Sequence, residues 1–310
     1  MKILFHKDAP DSGELLEVLG FTDADISIKK IWPYLRTASK EIFSIIGEAN
    51  YELAAAEFET PTGEEADETE ATELLELVQY AVALDAFRKY APLTDVAFTN
   101  DGRLFRRDEH QVGAFEWQIN KSDAALERAY YAAVDALITF IVDSEDLEES
   151  EYMQQFSGLY VPNLKTFQQY VNINDSHLLY YKLAPSLRLC EQREIMNRMG
   201  AKFADYKAKE MKDSYITGLV QNCCVYYAMA DGVQKLSVQL FPDGLSKNIT
   251  ESSGRTKGTG YDKESVTLFY QNKLESLLKS LEMEMRKLQP VYTSKPKINF
   301  DCSDGFVTTS

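Results

Sequence analysis

A chain of 310 residues, 45% hydrophobic and 26% charged, has the length and composition of one large or two medium globular domains with a real core. No stretch approaches the roughly 18–20 uninterrupted apolar residues of a membrane span, and the start places only Ile3-Leu4-Phe5 before charge resumes, too little for a secretory signal. The expected setting is therefore cytoplasmic, and a formal net charge of −16 argues against wrapping nucleic acid over the whole surface, though not against a local basic patch.

In chain order, Pro33, Leu35 and Thr37 recur as Pro162, Leu164 and Thr166. The segment from Glu59 to Thr72, rich in Glu and Thr with Pro61 and Gly63, reads as a solvated loop. The spacing then predicts a helix from about Glu73 to Tyr90, with Leu77, Tyr80, Ala81, Leu84 and Phe87 on one apolar face and Pro92 closing it. Asp95 to Thr99 and Arg103 to Arg106 flank Asn100-Asp101-Gly102, a hairpin signal because glycine takes the positive φ of the turn. After Trp117, Ser122 or Asp123 can cap a second helix with Leu126, Tyr130, Ala133, Leu137 and Ile141 along one side. Asp143 to Glu151 is an acidic connector that reads as mobile.

The order then repeats. Leu77-Val78-Gln79 recurs as Leu219-Val220-Gln221, 142 residues on; the same offset carries Ala86 to Ala228, Val96 to Val238, Asp101-Gly102 to Asp243-Gly244, Lys121 to Lys263 and Leu126 to Leu268. A helix from about Asp205 to Asp231, a strand from Leu236 to Leu240 turning at Pro242-Asp243-Gly244, and a helix from about Asp262 to Leu288 complete this second copy. In the last helix Val266, Tyr270, Leu274, Leu277, Leu281, Met285 and Leu288 form a heptad-like seam, which packs either within the chain or against another subunit. The expected fold is mainly α with β-hairpins, built from internally duplicated helix–β-hairpin–helix units that form helical bundles. Its units are 1–150 and 151–290, followed by an extended tail, 291–310, in which Ile298, Phe300 and Phe306 offer apolar anchors for docking on a neighbour.

Catalytic and cofactor chemistry is not expected. His6, His110 and His177 lie too far apart for a zinc pair, and Cys190, Cys223, Cys224 and Cys302 lack CxxC spacing and read as small core residues. Gly254-Arg255-Thr256-Lys257-Gly258-Thr259-Gly260 resembles a phosphate loop, but Tyr261-Asp262 follows the last glycine where Lys-Ser/Thr belongs. Asp301-Cys302-Ser303-Asp304-Gly305 lacks the carboxylate series of a calcium loop. The feature above background is basic. Arg103, Arg106, Arg107 and His110 in the first arm correspond to Lys247, Arg255, Lys257 and Lys263 in the second. Such arms are either solvated hairpins balancing acidic neighbours or a contact surface for an acidic subunit or for DNA, since phosphate attraction needs only a local cluster.

The helix, the Asn-Asp-Gly hairpin and the approach Phe115-Glu116-Trp117 to a long helix resemble an uncharacterised family of Bacteroidetes proteins found in prophage-like regions. More loosely, they resemble the head–tail connector (adaptor) proteins of tailed phages. The resemblance covers about Leu74 to Ile141, and the second copy by repetition. It implies a structural virion component of the neck, a homo-oligomeric ring meeting portal or tail proteins, without cofactor or enzymatic activity. Two copies in one chain depart from the usual short connector. The other reading is a cellular helical scaffold that binds a protein or peptide between the copies.

Overall fold

The computed structural model describes residues 1–7, 13–22, 27–60, 69–94, 97–99, 102–104, 115–208, 214–242, 244–245 and 263–288. The fold is mainly helical, and the helices form two neighbouring groups.

In the first group, α1 (Gly13–Leu19), α2 (Ile28–Ile46), α3 (Glu48–Glu59) and α5 (Glu116–Asp143) surround α4 (Glu70–Thr94). Helix α2 buries Ile28, Ile31, Leu35, Ala38, Ile42 and Ile45, a three-and-four spacing that makes one stripe. Helix α4 departs from the single face expected of it. Leu77 is only half-buried and Tyr80 is exposed, while every residue from Ala81 to Ala86 is buried. The cause is packing on two sides, by α2 and by α5, so no simple stripe survives in the sequence. Pro92 falls inside α4, which runs on to Thr94. Helix α5 starts earlier than expected, at Glu116. There the Gln118 side chain accepts the Phe115 N–H at 3.0 Å, leaving Ser122 and Asp123 within the helix. Its buried residues include the expected Tyr130, Ala133, Leu137 and Ile141.

Between α4 and α5, β1 (Ala97–Thr99) and β2 (Gly102–Leu104) pair antiparallel over three residue pairs, too little to form a layer of the fold. The second expected hairpin is not formed. Leu236 still donates to Gly232 at the end of its helix, and Val238–Leu240 makes a 3-10 turn. Ser237 accepts the Gln239 N–H and Phe241 donates to Val238, so these backbone groups are satisfied locally and need no partner strand.

The connector expected to be mobile is pinned. After α5, Ser150 donates to the Ile45 carbonyl, Asn50 donates to the Glu148 carbonyl, and Gly47 turns between α2 and α3 at φ 86° against Ser150. Short helices α6 (Glu151–Gln154) and α7 (Leu164–Gln168) then lead into α8 (His177–Cys190). A π-helical turn, Glu191–Ile195, joins α8 to α9 (Met196–Met199), and α10 (Lys202–Lys207) follows. The match of Pro33 to Pro162 fails here, because Pro33 lies inside α2 and Pro162 precedes a five-residue helix.

In the second group α11 (Ser214–Lys235) lies between α8 and α12 (Lys263–Lys287). It approaches α8 closely: a Cβ on Gly232 would stand 2.2 Å from Leu183 Cδ2. Helix α11 buries Ile216, Val220, Cys223, Cys224, Val225 and Ala228, which stand 142 residues after the buried Leu74, Val78, Ala81, Val82, Ala83 and Ala86 of α4. The offset slips between α5 and α12. Leu126 is half-buried whereas Leu268 is 55% exposed, and burial matches at 144, pairing Val134, Leu137 and Ile141 with Leu278, Leu281 and Met285. The seam of α12 packs within the chain, against α11, with Val266, Tyr270, Leu281 and Met285 buried and Leu274, Leu277 and Leu288 partly so.

Candidate interaction surfaces

Most of the expected contact residues fall outside the described residues: Arg106, Arg107, His110, Lys247, Arg255 and Lys257 in the basic arms, and Ile298, Phe300 and Phe306 in the tail. The backbone of Arg103 is described, paired with Phe98 in the short ladder. Lys263 is tied down at the end of α11, where its ammonium donates to the Gln234 carbonyl at 2.9 Å, a favourable place for a cation. What the described residues do expose at this end of the first group is aromatic. Phe115 and Trp117 are 63% and 64% accessible at the start of α5, and Leu93 is exposed at the end of α4.

The two groups meet through unlike elements. Helix α5 packs against α8 and the 3-10 turn of the second group, while α12, which occupies the corresponding place there, packs against α11. The contact is therefore head-to-tail in kind, since a two-fold contact would set α5 against α12. A cleft of 230 Å³ opens along it, lined by Arg128, Tyr131 and Asp135 of α5 and by Asn174, Gln239 and Phe241 of the second group. Arg128 donates to Gln239 across it at 3.0 Å. Asn174 and Asp175 both hold φ 55°, a left-handed conformation that Asn and Asp tolerate best among side-chain-bearing residues. Asn172 and Gln168 accept their N–H groups at 2.8 and 2.9 Å and keep the loop in that shape. Sequence reasoning missed this cleft, although the run Asn172-Ile173-Asn174-Asp175-Ser176 is a turn-and-cap signal.

Asp135 joins the groups directly by accepting the Leu178 N–H, in the first turn of α8, at 2.7 Å. Burial pushes its carboxyl above the ordinary value of 3.8, against the opposing pull of the Leu178 N–H, Ser176 and His177. The folded state thus holds this proton more tightly than the unfolded chain. The group's contribution to stability falls as pH rises from 3.8 to the folded value. Asparagine keeps an acceptor and removes the charge. Asp135→Asn is therefore expected to match or exceed the parent melting temperature at neutral pH, with the difference growing through that window. Thermal scans from acid to neutral pH check this; a large loss at neutral pH would mean that the charge on the α8 terminus outweighs its burial.

Elsewhere the polar interior is structural. Asp85, fully buried in α4, accepts Arg88 and Lys89, each with a nitrogen at 2.6 Å, and Lys89 also meets Glu41 of α2 at 2.7 Å. Cys190, Cys223 and Cys224 are free and buried where α8 meets α11. Burial pushes the Cys223 thiol up to about 12, and a hydrogen bond with Cys190 together with burial holds Cys224 well above its ordinary value. Thiols so raised stay protonated and are poor nucleophiles at neutral pH. Among the described residues no three His, Cys, Asp or Glu side chains gather as metal ligands, and no helix is long and apolar enough to cross a membrane.

No curated protein and no solved structure is a significant match to this sequence. A family of unknown function, DUF6712, matches in two stretches, residues 42–157 and 189–297, which begin 147 residues apart and each take in one long helix pair, α4 with α5 and α11 with α12. Together the stretches span well over half of the chain, and the protein belongs to that family.

Proposed function

We propose that the protein is a non-catalytic assembly component, a duplicated helical subunit of a homo-oligomeric ring of the kind found in the neck or head–tail connector of a tailed phage or prophage. The observation that carries this reading is the head-to-tail contact between the two helical groups, α5 against α8 and the 3-10 turn. Contacts of that kind build rings when the rotation closes. The equivalence of buried positions in α4 and α11 and the resemblance over Leu74 to Ile141 support the duplication. Phe115, Trp117 and Leu93 are the first candidates for the contact with a second subunit, because large aromatics dominate interface energetics. Under this reading the protein is a virion component assembled in the host cytoplasm. The basic arms face an acidic subunit or passing DNA, and the tail docks on a portal or tail protein.

Light scattering across a concentration series, with electron microscopy of the same samples, tests the proposal. The expected particle is a ring whose mass is a multiple of 35.2 kDa. Replacing both Phe115 and Trp117 with serine is expected to weaken self-association by about tenfold or more without lowering the melting temperature. A monomer at every concentration, also beside a portal ring, overturns it. The scaffold alternative draws on the cleft at Asn174. It is favoured if the chain stays monomeric and substitutions at Arg128 or Gln239 abolish capture of a peptide.

A further inference from the structure

The second group holds a cavity of 290 Å³ that the assembly reading leaves unused. It lies on the π turn. Arg188 of α8, Glu191 and Gln192 of the π turn, and Met196 of α9 form one side, and Phe203 and Lys207 of α10 face them. A π turn widens the helix locally, and such turns occur often at functional sites.

The charges of the cavity are unequally committed. Glu191, 2% exposed, uses both oxygens: one accepts the Tyr160 N–H at 2.5 Å and the other the Lys207 ammonium at 2.5 Å. That pair fixes the Lys207 ammonium beside the Phe203 and Tyr160 rings, 5.4 and 5.7 Å from their centres. Arg188 gives one N–H to the Gln155 carbonyl and lays its guanidinium over Phe156 at 5.2 Å. A guanidinium has five N–H groups, and no carboxylate is paired with Arg188 among the described residues. The lining therefore carries two cations against one carboxylate already engaged, in a chain whose net charge is −16. Beside this positive excess stand Leu159, Phe203 and the exposed Met196, an apolar wall, with the amides of Gln155 and Gln192 between.

We propose that this cavity binds an apolar carboxylate. The carboxylate meets the guanidinium fork of Arg188, whose planar geometry suits two parallel hydrogen bonds, with Lys207 adding charge from the opposite side. The apolar body lies against Phe203 and Met196. Such a carboxylate comes either from a free small acid or from the C-terminus of a peptide, and the volume suits a single aromatic residue or acid of that size.

Calorimetric titration of the whole chain with 3-phenylpropionate, and separately with a short peptide ending in phenylalanine, tests the proposal. The controls are 3-phenylpropanamide and the C-terminally amidated peptide. At least one carboxylate is expected to bind about tenfold or more tightly than its amide, and the arm that binds names the source. Arg188→Met keeps the stem and removes the fork. It is expected to abolish the preference for carboxylate over amide while leaving the melting temperature unchanged, since the residue is exposed. Equal binding of acid and amide, or no binding of either acid at up to about 5 mM, overturns the proposal, as does a carboxylate preference that survives Arg188→Met. Ring formation is read separately and does not depend on this result.

Discussion

Replacing Asp85 with alanine is expected to destabilise the protein by about 3–5 kcal/mol, because it strips two partly buried cations of a shared, fully buried counter-charge. The Arg88 and Lys89 side chains are 24% and 27% accessible, so neither can turn wholly into water without abandoning its packing. Arg88 also lies over the Tyr130 ring of α5 at 4.3 Å, and Lys89 reaches Glu41 of α2. The loss thus loosens both contacts of α4 at once. Burial raises the Asp85 carboxyl against the pull of Lys89 and Arg88, so the charged form is held at some expense. Asp85→Asn, which keeps acceptor geometry, is expected to lose less than alanine but to remain destabilised, since the two cations lose their counter-charge. Urea unfolding of parent and variants gives the comparison. A loss below about 1 kcal/mol for alanine would place the pair in the class of weak surface salt bridges.

Gly47→Ala is expected to cost about 3 kcal/mol. At φ 86° and ψ 169° the residue occupies a region that only glycine reaches without strain, worth about 1–3 kcal/mol by itself. The added Cβ would also stand 3.0 Å from Ser150 Cβ, and Ser150 cannot retreat easily because its hydroxyl is bonded to Ile45. The double variant Gly47→Ala, Ser150→Gly separates the causes: it relieves the contact and keeps the backbone strain. Full recovery in the double variant would show that the φ of this turn carries no penalty.

How far the sequence discloses the fold follows from how each helix is packed. Helix α5 has one buried side, and its stripe of Tyr130, Ala133, Leu137 and Ile141 is legible. Helix α4 is enclosed by α2 and α5, and the burial of Ala81 to Ala86 leaves no period to read. The second hairpin misleads because Pro242-Asp243-Gly244 carries turn chemistry, while Ser237, just upstream, closes a 3-10 turn that satisfies the backbone first. The acidic connector reads as mobile from Glu and Asp content, yet its fate is decided by Ser150 and the Glu148 carbonyl docking at Gly47, a contact across about a hundred residues. Neither the cleft at Asn174 nor the cavity at Arg188 has a motif, since each is assembled from elements distant in the chain.

The π turn has a consequence for the phase of the helix that contains it. Leu187, Glu191, Ile195 and Met199 are all buried at steps of four, whereas an α-helix advances so that every fourth residue drifts about 40° around the axis. The wider turn resets that drift, so that the stripe entering from α8 leaves through α9 on the same side. Removing any one residue between Glu191 and Ile195 would thus act as a rotation rather than a shortening. It would turn α9 by about 100°, lift Met199 out of the core and carry Met196 away from the cavity wall it forms with Phe203.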